Sequence, residues 1–244
     1  MPGRADGRPT VGVVIPAYQA AATIGDVAAR TRDAVPGAIV YVVDDGSTDG
    51  TGEEARRTGS IVLIHRRNAG KGAALATGIA AALEGGVDVI VTLDGDGQHP
   101  PEAIPRLVAP VAEGEADIAL GARARTGAMP LGRRCSNWLS AALASRIGGG
   151  PVPDAQTGFR GFARGVAEAI RPRETRYDFE AAFLLEALAR GLRVRSVPVP
   201  TVYEGRPSHF RHWGDSWRVA RVFGRYRDGA GFVGAVERQS HGEL

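Results

Sequence analysis

Two carboxylates one residue apart, Asp94 and Asp96, end the apolar run in Val87-Asp88-Val89-Ile90-Val91-Thr92-Leu93-Asp94-Gly95-Asp96-Gly97-Gln98-His99-Pro100-Pro101. The run has the composition of a strand buried on both faces, and the Gly and Pro that follow cannot extend it. The acids therefore fall just past the carboxyl end of a strand, the edge at which open α/β sheets bind ligands. Carboxylate oxygens are hard donors and suit Mg²⁺ or Mn²⁺ beside a phosphate. The simpler alternative is a solvated Asp-Gly-Asp turn, since both residue types are common in turns.

Two further strand ends carry polar groups. Val11–Ile15 reads as a strand stopped by Pro16, with Ala17 and Tyr18 next; Ile39–Val43 reads as a strand ending in Asp44 and Asp45. Between them lies an Ala-rich helix from about Ala21 to Ala34, and Thr51 with Glu54 has capping-box spacing for the next helix. Ile61–Ile64 is a third strand. Asn68-Ala-Gly-Lys71-Gly72 then leads into a helix with Leu75, Ile79 and Leu83 on one face. After the opening stretch, Ile104, Leu107, Val108 and Val111 mark a helix that Pro105 and Pro110 shorten. Asp117–Leu120 is a fifth strand, Tyr177–Ala189 a later helix, and Leu192–Pro198 a last strand.

Strands alternating with helices from Val11 to about Arg123 predict an α/β fold with a mostly parallel sheet. All carboxyl ends of parallel strands share one edge, so Pro16, Ala17, Tyr18, Asp44, Asp45, Asp94 and Asp96 converge there. Four acids in one crevice repel one another unless a cation or ligand donors neutralise them. The sequence has no G-x-x-x-x-G-K-[ST] loop and no G-x-G-x-x-G after the first strand. Phosphates bound here must then be held mainly by metal.

Composition narrows the remaining classes. The chain has 244 residues and a formal charge of +3, too small to argue for nucleic acid. Lys71 is its only lysine and Cys135 its only cysteine, so no internal disulfide forms. Residues 1–10 lack the apolar core of a signal peptide. No apolar run approaches the roughly 18 residues of a membrane helix. The expected location is the cytoplasm, with any membrane contact peripheral.

Val-Val-Ile-Pro-Ala-Tyr (13–18), Val-Asp-Asp-Gly-Ser-Thr-Asp-Gly-Thr (43–51), Asn-Ala-Gly-Lys-Gly-Ala-Ala (68–74) and Asp-Gly-Asp-Gly-Gln-His-Pro-Pro (94–101) resemble the family-2 inverting glycosyltransferases of GT-A fold. Asp-x-Gln-Thr-Gly-Phe-Arg (154–160) extends the resemblance, which spans roughly Val11 to Arg211 and is nearest to the dolichyl- or polyprenyl-phosphate mannosyl- and glucosyltransferases. It implies one Rossmann-like nucleotide-binding sheet with acceptor-side helices: a flexible 1–10, a transferase domain 11–205 split into a nucleotide-sugar half (11–123) and an acceptor half (124–205), and a basic, aromatic tail (206–244). It also implies roles. Pro16, Ala17 and Tyr18 line the nucleoside pocket, and Asp44 or Asp45 meets base and ribose. Asp94, Asp96 and Gln98 form the metal and diphosphate site for Mg²⁺ or Mn²⁺, with Asp96 at the catalytic centre. Lys71 either faces the donor phosphates or is a solvated first-turn residue, and His99 reads as a turn residue.

The acceptor follows from charge. A hydroxyl acceptor needs a general base, whereas a phosphate monoester, with its second pKa of about 6, is already largely ionised and needs cations to hold it. Arg123, Arg125, Arg133 and Arg134 supply planar guanidinium groups suited to phosphate, unless they form a solvated basic loop. The resemblance implies that Arg123 is catalytic and acceptor-binding, with Arg133 or Arg134 beside it. Asp154 acts as base toward a hydroxyl, or orients the sugar or an arginine toward a phosphate. Gln156 and Arg160 face the acceptor, or Arg160 pairs with Glu180 inside the core. The tail, with Trp213, Trp217 and several arginines, either packs on the core or lies in a membrane interface. The expected reaction moves a hexose from a GDP- or UDP-sugar to a polyprenyl phosphate at the inner face of the plasma membrane. A soluble or glycan hydroxyl acceptor is the second enzyme reading, and a non-catalytic nucleotide-sugar-binding protein the third.

Overall fold

A computed structural model of the chain describes residues 8–123, 145, 157–176 and 178–200. Short apolar runs alternate with amphipathic stretches, and the chain folds accordingly. In order come β1 (Val11–Ala17), α1 (Ala21–Ala34), β2 (Ile39–Asp44), α2 (Thr51–Arg57), β3 (Ile61–Ile64), α3 (Lys71–Glu84) and β4 (Val89–Thr92). A 3-10 turn (Pro101–Ala103) leads into α4 (Ile104–Ala112), then β5 (Ile118–Arg123), β6 (Arg160–Ala163), α5 (Arg164–Ala169), α6 (Asp178–Ala189) and β7 (Val194–Val199).

These strands form one sheet in the order β3-β2-β1-β4-β6-β5-β7. Only β6 runs antiparallel to its neighbours, so the sheet is mostly parallel as the alternation predicts. Val13 and Ile15 point to one face, where they meet Ile24 and Val27 of α1 and Ile104 and Leu107 of α4. Val14 points to the other, against Leu75 and Ile79 of α3 and Phe183 and Leu184 of α6. Each such side chain, fully buried, contributes about 1.5–3 kcal/mol. With both faces covered, β4 is buried along its whole length. The strand order reverses between β1 and β4, and the crevice at such a switch point is where open sheets bind ligands.

Three local expectations change. Pro16 does not stop β1, which continues to Ala17 and pairs Pro16 with Val43 and Ala17 with Asp44. Val14 O accepts from Leu93 N–H and Ala17 O from Asp45 N–H. Alternation therefore aims the missing donor of Pro16 toward β4, which has already ended at Thr92, so nothing is lost. Thr51 does not cap α2: Gly50 holds that position, and Thr51 Oγ1 instead accepts Ala20 N–H at 2.8 Å and donates to Asp49 at 2.5 Å. Finally, Arg160–Ala163 is a strand wedged between β4 and β5, where the sequence pattern shows no strand. The basic segment 124–144, the segment 146–156 and the tail beyond residue 200 lie outside the described residues. Among the described residues, no helix is long and apolar enough to cross a membrane.

Helix α3 approaches the sheet closely at Gly78, where a Cβ would lie 2.4 Å from Val14 Cγ1. Alanine favours a helix over glycine by about 0.8–1.0 kcal/mol, but overpacking a core costs about 1–3 kcal/mol. Gly78→Ala is therefore expected to lower stability in urea unfolding; an increase would contradict this packing.

Candidate active site

The loops after β1 and β2 are tied together. Gln19 N–H donates to Ser47 Oγ (2.9 Å), and its side chain bonds Thr48 through both amide atoms. Ala21 N–H donates to Asp49 Oδ2 at 3.0 Å, so the second loop caps the helix that follows the first. Gln19 takes a positive φ of 50°, the one non-glycine residue to do so among those described. Such strain concentrates at ligand sites. Pro16 and Ala17 are buried beneath this loop pair and Tyr18 is exposed on it.

Asp44 and Asp45 are both buried, with different partners. Asp44 Oδ1 accepts Ser47 N–H at 2.9 Å. Asp45 Oδ1 meets His65 Nδ1 (2.7 Å) and Ala69 N–H (2.9 Å), and its Oδ2 accepts Gly70 N–H (2.8 Å). His65 Nε2 in turn lies 3.0 Å from Thr77 Oγ1. Asp45 thus fastens the loop that begins α3 and fixes where Lys71, the first residue of that helix, emerges.

Lys71 is the junction of the site. Its ammonium lies 2.6 Å from Asp94 Oδ1 and 2.8 Å from Glu180 Oε1 at the start of α6. Asp94 Oδ2 lies 3.9 Å from Nδ1 of His99, a buried ring packed against Phe159 with centroids 5.3 Å apart. Gly158 closes the junction: a Cβ there would sit 2.6 Å from Glu180 Oε1 and 2.9 Å from both Asp94 Oδ1 and Lys71 Nζ. Gly158 is itself held by Thr92 Oγ1, which donates to its carbonyl at 2.7 Å. Thr23 Oγ1 donates to Gly95 O at 2.7 Å, and Gln98 N–H to Asp96 Oδ1 at 2.9 Å, fixing the acidic loop.

The charges follow from these neighbours. Burial opposes the Lys71 ammonium, but the carboxylates of Asp94 and Glu180 outweigh it and hold its pKa above the ordinary lysine range. Burial pushes the Asp96 carboxyl up, and the negative charge of Asp94 adds to the push. The crevice thus holds one internally paired carboxylate and one that the protein leaves short of positive charge.

Asp44 ends β2, and Asp45, Lys71, Asp94, Asp96 and Gln98 lie in loops or at a helix start at the carboxyl edge of β1–β4, as expected. Lys71 is not solvated. Arg160 lies in the core, where Nε donates to Thr157 O (2.8 Å) and a terminal nitrogen to Glu180 O (2.5 Å). Those contacts make it a strut between β6 and α6. Its bond to residue 180 is to the main chain, while the Glu180 carboxylate goes to Lys71. Arg123 ends β5. Arg133, Arg134, Asp154 and Gln156 lie outside the described residues. Sequence reasoning missed Gln19, His65 and Gly158, and the Glu180–Lys71 pairing. Only Glu180 carried a signal, an acid in the first turn of a helix.

Asp94 and Asp96 could together accept a hard divalent cation. The donor set fits one: two carboxylates one residue apart on the loop after β4 offer hard oxygens from the same side, and Gln98 N–H fixes Asp96 at 2.9 Å. Among the described residues, no group of three or more His, Cys, Asp or Glu is arranged to hold a metal. Water and ligand phosphate would have to complete the coordination, as Mg²⁺ favours.

Residues 12–171 match the family profile Glycosyl transferase family 2. The undecaprenyl-phosphate mannosyltransferase of Micrococcus luteus is 32% identical over 201 residues, covering 78% of this chain and 82% of that protein. The UDP-N-acetylglucosamine–dolichyl-phosphate N-acetylglucosaminyltransferase of Methanococcus voltae is 29% identical over 214 residues, covering 78% and 85%. Among solved structures, glucosyl-3-phosphoglycerate synthase from Mycobacterium tuberculosis, in complex with Mn²⁺, uridine diphosphate and glucosyl-3-phosphoglycerate, superposes with a TM-score of 0.72. That match is 26% identical and covers 89% of this chain and 80% of the other.

Two outcomes follow. Lys71→Ala leaves Glu180 buried without its cation and is expected to cost about 3–5 kcal/mol at pH 7. Urea unfolding of both proteins at pH 7 measures the deficit, and a variant within about 0.5 kcal/mol of wild type would contradict the pairing. Asp96 carries a pKa raised above its unfolded value. The folded state therefore favours its protonated form, and the stability linked to that proton is lost as pH rises through the folded pKa. Asp96→Asn should accordingly raise the melting temperature of the metal-free protein at neutral pH, and a lowered one would count against this account.

Proposed function

The chain belongs to glycosyl transferase family 2, and from that premise we propose a metal-dependent inverting glycosyltransferase that moves a hexose from a GDP- or UDP-sugar to a polyprenyl phosphate. The observation that carries the reading is the meeting of Asp94, Asp96 and Lys71 at the switch point between β1 and β4. A nucleotide diphosphate needs counter-charge at such a crevice, and no glycine-rich phosphate loop offers it.

In this reading Asp94 and Asp96, with Gln98 supporting Asp96, hold Mg²⁺ or Mn²⁺ at the donor diphosphate. The cation offsets the charge that the leaving nucleotide gains. Pro16, Ala17, Tyr18 and Asp44 form the nucleoside side, while Asp45 holds the loop that presents Lys71. The acceptor phosphate is already ionised, so it attacks the anomeric carbon without a general base. Arg123 and the arginines at 125, 133 and 134 orient it and reduce its charge. The names of the relatives in Micrococcus luteus and Methanococcus voltae, both polyprenyl-type phosphate transferases, support this acceptor and leave the sugar and nucleotide open. The expected site of action is the cytoplasmic membrane face, with the protein bound peripherally. One observation favours a soluble acceptor instead: the structural neighbour carries a phosphoglycerate product rather than a lipid.

Purified protein with Mn²⁺ or Mg²⁺, GDP-mannose or UDP-glucose, and polyprenyl phosphate should yield a glycolipid extractable into organic solvent. Asp94→Ala and Asp96→Ala should each lower that turnover by at least about a hundredfold, in line with loss of a principal electrostatic contributor. Product confined to the aqueous phase would overturn the lipid acceptor, and unchanged metal-dependent turnover in Asp94→Ala would overturn the metal assignment.

A further inference from the structure

Both oxygens of Asp94 already face nitrogen: Oδ1 the Lys71 ammonium at 2.6 Å, Oδ2 the His99 ring at 3.9 Å. A divalent cation taking Asp94 must displace one of them or share the carboxylate with a second positive charge. The imidazole is packed in the core against Phe159 and has no room to leave. Lysine carries its charge at the end of a flexible four-carbon stem and can. Lys71 also has a second anchor, because Glu180 Oε1 lies 2.8 Å from its ammonium. Side-chain exposure grades across the three groups from 8% at Glu180 through 16% at Lys71 to 24% at Asp94, so solvent and ions reach the junction from the Asp94 side. Gly158 walls the junction from the other direction.

We infer that Lys71 is a displaceable internal counter-ion of the cation site, and that Glu180 is the positioning residue that retains it when the metal takes Asp94. This rests on the reading of Asp94 and Asp96 as the cation and diphosphate site. In the metal-free protein Lys71 neutralises Asp94 and keeps two close carboxylates tolerable. When Mg²⁺ or Mn²⁺ binds, the ammonium gives up Asp94, stays tethered through Glu180, and has donor capacity free for the diphosphate that arrives with the metal. One side chain thereby stabilises the empty site and helps fill the occupied one. Without Glu180, the ammonium loses the carboxylate that draws it away from Asp94 and competes harder with the cation. Exchange of one charge for another couples metal and nucleotide binding through a residue that need not touch the metal.

Because Lys71 is the only lysine, protein labelled with [¹³Cε]lysine gives one side-chain resonance, and the wild-type protein can be used. Metal-free protein should show two distinct Hε protons, as an ammonium locked between carboxylates requires. Mg²⁺ alone should shift the signal and merge them, and UDP or GDP added with Mg²⁺ should move it again. If calorimetry shows Mg²⁺ binding that Asp96→Asn abolishes, yet the lysine signal stays in place, the exchange is overturned. Two variants give a second reading by calorimetry with Mg²⁺ alone. Lys71→Met should bind it more tightly than wild type and Glu180→Gln more weakly, each by at least about fivefold, the low end of typical coupling between sites. Equal affinities in both would also overturn the exchange. Glycolipid formed by a protein whose lysine signal ignores Mg²⁺ would sink this inference alone. A wild type that binds no Mg²⁺ and forms no product would sink both it and the reading beneath it.

Discussion

The buried ammonium of Lys71, held between Asp94 and Glu180, is the interaction on which the site depends. It joins the start of α3, the loop after β4 and the start of α6 within one hydrogen-bonding distance of each. Desolvating such charges is costly, and removing one partner leaves the others exposed to that cost. The surrounding structure is arranged so that none is left alone. Asp45 pins the loop before Lys71, Thr92 holds Gly158 against the junction, and Arg160 ties the strand β6 to the main chain of Glu180. The positions of Asp94 and Asp96 are thus set by contacts that extend well beyond the acidic loop itself.

The same arrangement gives the two neighbouring carboxylates different surroundings. Asp94 has its counter-charge built in, whereas Asp96 is half-buried beside a like charge and retains its proton more readily than a free carboxyl. A site that is uncomfortable when empty gains more when a cation enters, which is the usual trade between a stable fold and a working site. Gln19, in its positive-φ conformation on the loop after β1, is a second place where the fold tolerates local cost.

Much of this was legible in the sequence, for reasons that particular residues make plain. Strand β4 could be read because Val89-Ile90-Val91 is uniformly apolar and Gly95 and Gly97 end it, so Asp94 and Asp96 had to fall at the sheet edge. Helix α3 could be read from Leu75 and Ile79, which pack into the core as their spacing required. Strand β6 could not. Arg160-Gly161-Phe162-Ala163 has one large apolar residue, and its glycine answers a contact invisible in sequence: a Cβ on Gly161 would lie 3.0 Å from Leu107 O of α4. Asp44 and Asp45 looked equivalent as neighbours, but β2 ends at Asp44, and Asp45 turns its side chain into the loop before α3. Glu180 escaped as a partner of Lys71 because no local pattern links residues so far apart; only the sheet order brings α3, β4 and α6 together.

Everything proposed for this site requires that Asp94 and Asp96 hold a divalent cation beside the donor diphosphate. Electron paramagnetic resonance of Mn²⁺ with the full chain and UDP or GDP carrying ¹⁷O in the diphosphate tests this directly. The account predicts one bound Mn²⁺ whose lines broaden with the ¹⁷O label, and loss of that signal in Asp94→Ala and in Asp96→Ala. An unchanged Mn²⁺ spectrum in both variants, or no broadening by the labelled diphosphate, would contradict it.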